Sequence, residues 1–298
     1  MASNQVVLVT GASTGFGRLF TETLARNGYT VFATMRDPKG KNAKNAAEIE
    51  ALAKKESLPI HILELDVTKE DSVNRAVSAA VDKAGRLDVV INNAGFPIIG
   101  LLETITVEQA QSQFDTNFFG CVRVNRAALP QMRKQKSGLL LHISSGAGRL
   151  VFPTFGLYCA SKFALEAFSE AYNYELAGQG IQSVSIQPGA YQTAIFGNIQ
   201  VGEDKSRAET YGAANQILPK MNEGLTKSAG NAQEVADAVL RIIETPAAQR
   251  KAHYRVSAQD VGVDAINDLC EQTQGAVFQA FGLTDDVKFV AASAAAKG

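Results

Sequence analysis

The chain has 298 residues, 46% of them hydrophobic, which suits one large unit with a sizeable core. Its 29 basic and 30 acidic residues are interspersed and leave a net charge of −1, so the basic footprint of a nucleic-acid binder is missing. No apolar run reaches the roughly 18 residues of a membrane span, and Cys121, Cys159 and Cys270 are an odd, widely spaced set without metal-ligand spacing.

The N-terminus, MASNQVVLVT, has no charged start leading into an apolar stretch. With the free thiols, this points to a cytoplasmic protein in a reducing compartment. From there apolar runs alternate with segments of helical period. Residues 6–10, 30–34, 60–65, 89–92, 139–144, 182–187 and 252–256 read as strands. They are apolar almost throughout, as in a parallel sheet covered on both faces. Between them Phe20, Leu24 and Ala25, or Val73, Val77, Ala80 and Val81, recur at helical spacing. The alternation predicts an α/β fold of Rossmann type, a doubly wound and mainly parallel seven-stranded sheet with helices on both faces. It predicts a single domain over 1–298, with a core at about 5–190, a loop and lid at about 191–230, and a C-terminal extension at about 258–298. The stretch 197–230 breaks the rhythm with polar residues and scattered glycines, as insertions that cover a ligand do. The Ala-rich end, 291–298, reads as frayed.

After the first strand comes TGASTGFG, residues 10 to 17. Gly11 permits the tight turn, Gly15 lets the backbone approach phosphate oxygens, and Gly17 lets the helix pack close to the strand. Free N–H groups at the helix start would hold a pyrophosphate without a cation. The motif alone is compatible with an ordinary glycine-rich turn. Further on, Asn117 lies in an otherwise apolar helical run with Phe114, Phe118 and Phe119. A buried amide there needs a partner, or it marks a helix kink.

The helical run from 158 to 176 opens with Tyr158 and Lys162. Positions i and i+4 share a face, so an ammonium beside the phenol is expected to lower its pKa toward working pH. A phenol so tuned passes a proton to or from a substrate oxygen. A lone pair at this spacing is more often a surface pair, but Ser145 follows the strand ending at 144, thirteen residues before Tyr158. Strand C-termini collect at the ligand crevice of a parallel sheet, so the Ser145 hydroxyl can meet the same oxygen. Ser144 should point the other way. His61, His142 and His253 show no partner at ligand spacing and read as structural, and no metal is expected.

TGASTGFG, Asn92-Asn93-Ala94-Gly95, Asn117, Ser145, Tyr158 with Lys162, and Pro188-Gly189 together resemble the short-chain dehydrogenase/reductase family in order and spacing. The resemblance covers about residues 5 to 195, matches the shorter-chain branch, and is closest in look to the hydroxysteroid and retinol dehydrogenase subgroup. It implies that Tyr158 is general acid in carbonyl reduction and base in alcohol oxidation. Lys162 would tune it and bond the nicotinamide ribose, Ser145 would orient the substrate oxygen, and Asn117 would hold a water linking Lys162 to solvent. For the cofactor it implies Gly11, Ser13, Thr14, Gly15, Phe16 and Gly17 at the pyrophosphate turn, and Asp66 with Val67 at the adenine. Asn93, Ala94 and Gly95 would line the ribose side, and Pro188, Gly189 and Thr193 would cradle the carboxamide. Asp66 also reads as a helix cap and Pro188-Gly189 as a strand-ending turn.

Cofactor choice turns on the end of the second strand. A carboxylate there selects the ribose 2′-hydroxyl of NAD, a cation the 2′-phosphate of NADP. In the register of the family Met35 stands where the selective acid belongs, leaving Arg36 free to grip the phosphate, with Arg18 in a position to add to it. NADP(H) is therefore expected over NAD(H), although Asp37 is adjacent. Phe96, Ala147, Phe152, Phe155, Ile195 and Phe196 are candidate walls for a small apolar carbonyl or alcohol substrate. The family's two long apolar helices, here 107–133 and 154–176, imply a homodimer or homotetramer. A non-catalytic NADP(H)-binding sensor on the same fold is the alternative, but such proteins typically lose the Tyr or the Lys.

Overall fold

A computed structural model describes residues 5–191, 199–227, 229–257, 259 and 261–289. The elements run β1 (Val6–Val9), α1 (Gly15–Arg26), β2 (Thr30–Met35), α2 (Ala43–Glu56), β3 (Ile60–Glu64), α3 (Glu70–Ala84), β4 (Val89–Asn92) and β5 (Ile98–Ile99). They continue with α4 (Val107–Phe114), α5 (Gly120–Gln135), β6 (Gly138–Ile143), α6 (Gly156–Glu175), β7 (Ile181–Pro188), β8 (Gln200–Val201) and α7 (Lys205–Ala208). Last come α8 (Ile217–Lys227), α9 (Gln233–Glu244), β9 (His253–Val256) and α10 (Val263–Ala280).

The large sheet has seven strands in the order β3-β2-β1-β4-β6-β7-β9, and every neighbouring pair is parallel. The seven predicted strands are all there, within a residue or so at each end. Their apolar character has the expected cause. In β1, Val7 and Val9 face one core with Phe20 and Leu24 of α1 and Val235 and Val239 of α9. Val6 and Leu8 face the other, with Val73 and Val77 of α3 and Val124 and Met132 of α5. Side chains alternate along a strand, so a strand covered on both faces must be apolar at every position.

The order reverses between β1 and β4, which leave the sheet with helices on opposite faces. That reversal opens a crevice at the strand C-termini, where ligands of such sheets bind. The predicted helix over 107–133 is broken: α4 and α5 are joined by a π turn, Asp115–Phe119. Where an insertion is expected over 197–230, the described residues 199–227 fold into β8, α7 and α8. There β8 pairs parallel with β5 in a separate two-stranded sheet, at Ile98 with Gln200 and Ile99 with Val201. Two-residue strands carry no period and were invisible in the sequence. Among the described residues no helix is long and apolar enough to cross a membrane.

Candidate active site

The crevice is built first from backbone. Gly11 and Gly15 take positive φ, +66° and +57°, which a side chain rarely tolerates. Thr14 precedes α1 in extended conformation and makes no side-chain cap bond among the described residues. The first N–H groups of α1 therefore remain available to an anion. A Cβ on Gly17 would stand 2.3 Å from the Gly11 oxygen and 2.6 Å from Asn93 Nδ2, so Gly17 serves close packing and does not itself line the cleft. Thr10, which the sequence reading passed over, straps the far wall in place. Its Oγ1 accepts from the N–H groups of Asn93 and Ala94 at 2.9 and 3.0 Å. Asn93 Nδ2 returns the bond to the Thr10 carbonyl at 2.8 Å.

The cleft has a volume of about 1280 Å³. Of the predicted cofactor residues, Gly11, Ser13, Thr14, Gly15, Phe16, Arg36, Asp66, Val67, Asn93, Ala94 and Gly95 line it, as does Phe96 from the predicted substrate wall. Arg36 is exposed at its rim, and Lys41, Asn42 and Asn45 stand in the same wall. Lys41 was missed because it sits in a short polar turn with no pattern to mark it. Asp37, at φ +44°, turns its carboxylate back onto the N–H of Lys41 at 2.7 Å and lies outside the cleft lining. Arg18 must be corrected. It pairs with Glu22 at 2.9 Å and Glu48 at 2.6 Å, so it is not a free cation for a phosphate. Asp66 is not a helix cap, since Lys69 holds that position of α3. One oxygen of Asp66 closes a turn on Thr68, accepting from its N–H at 3.0 Å and its hydroxyl at 2.8 Å.

Asn117, Ser145, Tyr158 and Lys162 are not among the residues that line the cleft, and Asn117 reaches it through its bonds to Phe96. Asn117 is buried in the π turn. Its Oδ1 accepts from the N–H of Phe96 at 3.0 Å, and its Nδ2 donates to the Phe96 carbonyl at 3.0 Å and to Ser161 Oγ at 3.1 Å. Ser161 in turn donates to the Tyr158 carbonyl at 2.8 Å. Both amide hydrogens of Asn117 are thus committed to protein partners. Ser145 follows β6 and caps the short 3-10 turn Gly146–Gly148, its Oγ accepting from the N–H of Ala147 at 3.1 Å. Ser144 is buried, its Oγ close against Gly148.

Tyr158 and Lys162 share a face of α6, with the Lys162 Nζ 5.6 Å from the Tyr158 ring centre. The expectation that this ammonium draws the phenol down is overturned. Burial pushes Tyr158 up to about 12, and a hydrogen bond with Ser145 offsets only part of it. Nζ lies against the ring and donates to the Ile143 carbonyl at 2.8 Å, not to the hydroxyl. Burial also pushes Lys162 down to about 8, opposed by Cys121 and Glu166.

At the same sheet edge Pro188 ends β7, buried, and the N–H of Gly189 donates to the Val256 carbonyl at 2.9 Å. Neither lines the cleft. Ala147 is buried behind Ser145, while Phe152 and Phe155 are half-buried in the loop leading into α6. Thr193, Ile195 and Phe196 lie outside the described residues. Phe114, Phe119 and Gln200 line the cleft without having been foreseen. His253 is also corrected: it has partners, standing 3.0 Å from Glu170 and 3.7 Å from Glu166.

Comparison with known proteins gives the family. The family described as short chain dehydrogenase matches residues 5–204. A 3-ketodihydrosphingosine reductase of Bacteroides thetaiotaomicron is 35% identical over 239 residues, 80% of this chain and 83% of that one. Retinol dehydrogenase 8 of Homo sapiens is 33% identical over 269 residues, 86% and 84% of the two chains. A short-chain dehydrogenase structure from Streptomyces avermitilis superimposes with a TM-score of 0.75 at 28% identity, covering 93% of this chain and 98% of that one. The chain belongs to the short-chain dehydrogenase/reductase family and is an oxidoreductase.

Proposed function

We propose that the chain transfers a hydride between the nicotinamide of NADP(H) and a carbonyl or secondary alcohol on an apolar substrate, with Tyr158 as general acid and base. The observation that carries this reading is the contact of Tyr158 with Ser145 and with Lys162, joined through Ser161 to Asn117 and by Asn117 to Phe96, which lines the cleft. The fit to a dinucleotide rests on the positive φ of Gly11 and Gly15, the close packing that only glycine allows at position 17, and the open start of α1. Gly11, Ser13, Thr14, Gly15 and Phe16 would hold the pyrophosphate, Asp66 and Val67 the adenine, and Asn93 to Gly95 the ribose. Lys162 would hold the nicotinamide ribose, with Pro188, Gly189 and Thr193 around the carboxamide. Arg36 supports NADP over NAD: it is exposed at the rim, and among the described residues its guanidinium has no acidic partner. Lys41 adds a second cation beside it. When bound, the nicotinamide supplies the hydride for reduction or accepts it in oxidation.

The side chains of this chain handle the proton. With its pKa raised by burial to about 12, the Tyr158 phenol is protonated at neutral pH and donates to a carbonyl oxygen as that oxygen gains charge. Ser145 supplies a second hydrogen bond to the same oxygen. Lys162, on the same face of α6, would stabilise the phenolate left behind once its Nζ turns from the Ile143 carbonyl toward the hydroxyl. Phe96, Phe152 and Phe155 support an apolar body on the substrate, as do the relatives named for retinol and for 3-ketodihydrosphingosine.

The test is NADPH oxidation by the purified protein against a panel of apolar ketones, with NADH in parallel. Turnover with NADPH preferred is expected, and Tyr158→Phe should cost roughly 10²–10⁴-fold in kcat. A Tyr158→Phe protein as active as the parent would overturn the catalytic assignment.

A further inference from the structure

The face of α6 that carries Tyr158 and Lys162 continues in steps of four through Glu166 and Glu170. Lys162, Glu166 and Glu170 are only 6%, 1% and 8% exposed. Carboxylates this deep need partners. Glu166 accepts from Ser185 Oγ at 2.6 Å and Gln187 Nε2 at 3.0 Å, both on β7. Glu170 accepts from Gln274 Nε2 of α10 at 2.6 Å. Between the two lies the guanidinium of Arg149. Its Nη2 bonds Glu170 Oε1 and stands 3.7 Å from Glu166 Oε2 and 2.9 Å from His253 Nε2 on β9. Its Nε donates to Asn267 Oδ1 of α10 at 2.9 Å. Burial alone would raise the Glu170 carboxyl, but the bonds from His253, Gln274 and Arg149 hold it down to about 2. The ligand atoms of Glu166, Glu170 and His253 lie within 4.8 Å of one another, a convergence that would suit a metal ion. The cation they hold is Arg149.

Arg149 also closes the turn that presents Ser145. Gly148 N–H donates to the Ser145 carbonyl at 2.8 Å, and the N–H groups of Arg149 and Leu150 donate to the Gly146 carbonyl at 3.1 and 3.0 Å. Gly148 presses on α6 so closely that a Cβ there would stand 2.8 Å from Glu166 Cγ. Val263, the first residue of α10, is the neighbour of Gly146, its Cγ2 3.8 Å from where a Cβ would be. A turn this short moves as one piece, so whatever fixes Arg149 fixes Ser145.

We propose that Arg149 is a positioning residue. By gripping α6, β9 and α10 at once it sets the Ser145 hydroxyl opposite Tyr158, and it makes the C-terminal helix a working part of the active site. This rests on the roles given above to Ser145 and Tyr158. Lysine at 149 keeps the charge but not the planar fork, so it cannot satisfy Glu170 and Asn267 together.

The experiment is a double-mutant cycle in kcat on the full chain: parent, Arg149→Lys, Ser145→Ala and the double variant, with NADPH affinity and Tm measured for each. Arg149→Lys should lose about 10- to 100-fold in kcat while NADPH affinity stays within about two-fold. In the Ser145→Ala background the same substitution should cost nothing more, because its effect runs through that hydroxyl. Losses that simply multiply would overturn the proposal and leave Arg149 a support of the fold, and so would an Arg149→Lys protein with unchanged kcat. Should Arg149→Lys fail to fold, Asn267→Ala removes the Nε partner without stranding a charge, and it must show the same non-additive loss. Tyr158→Phe is run alongside. Full activity there sinks the catalytic reading itself, whereas an inactive Tyr158→Phe with an unaffected Arg149→Lys sinks the positioning role alone.

Discussion

The two ends of the cleft are held together by different means. At the β1–α1 end, the walls are mainly backbone: glycines at positive φ and a helix packed against a turn, with the Thr10 hydroxyl strapping β4's continuation to β1. At the other end, the insertion that carries Gln200 adds side-chain ties to the short backbone pairing of β8 with β5. Arg207 pairs with Glu103 at 2.5 Å and Tyr211 donates to Glu103 at 3.0 Å, while Gln109 Nε2 donates to the Val201 carbonyl at 3.1 Å. Backbone fastening tolerates almost no substitution and suits a ligand that never changes. Side-chain fastening can be rewritten one residue at a time, which suits the end where relatives on one fold take different substrates.

On this contrast, the largest single effect belongs to Gly17. Gly17→Ala puts a methyl 2.3 Å from a backbone oxygen, so α1 or the turn must shift. It should cost about 3 kcal/mol of stability and most of the dinucleotide affinity, read by thermal unfolding and by cofactor titration. Next comes Arg36→Ala, which leaves the backbone frame alone. NADPH should bind roughly 10- to 100-fold more weakly with NADH unchanged, and Lys41→Ala should do the same to a smaller degree. An equal loss for both nucleotides would assign these residues to the general binding frame and leave the 2′-phosphate without its grip.

How much of this could be seen in the sequence follows the same division. Strand runs such as Val6–Val9 and the glycines of the first turn were legible because backbone requirements restrict residue type: two-sided burial demands apolar residues, and positive φ demands glycine. The neighbourhood of Ser145, Tyr158 and Lys162 was legible because strand ends and helical spacing fix where side chains start. Where those side chains end was not. Spacing put Lys162 beside Tyr158 but could not show how deeply the phenol is buried, which pushes its pKa up, nor that Nζ turns to the Ile143 carbonyl. Arg18 seemed free because its partner Glu48 lies thirty residues away on α2. His253 seemed isolated because Arg149 is 104 residues distant in the chain. The strands β5 and β8 are too short to leave any pattern.

The reversal at Tyr158 gives a prediction of intermediate size. The phenol stays protonated until the pH nears about 12, whereas Lys162 loses its charge as the pH rises through about 8. Reductive kcat should therefore be flat through neutral pH and fall above about 8, a limb set by the lysine and not by the acid. Lys162→Arg cannot deprotonate in that range, so whatever activity it keeps should lack the limb. A limb that persists in that variant would mean another group sets it.

The smallest effect should come from the side-chain fastening itself. Glu103 holds both Arg207 and Tyr211, so Glu103→Gln removes the charge that ties α7 and the following turn to the 102–104 segment. Both partners are largely exposed, with side-chain exposures of 54% for Arg207 and 48% for Glu103, and exposed ion pairs contribute little. The substrate KM should rise only about two- to five-fold, while kcat, NADPH affinity and Tm stay close to the parent. High salt should weaken the parent's KM in the same direction and leave the variant's nearly unchanged, since screening acts on the pair that the variant already lacks. A drop in kcat or in cofactor affinity instead would show that the insertion reaches through Gln200 into the cofactor end of the cleft, and the separation between the two ends would not stand.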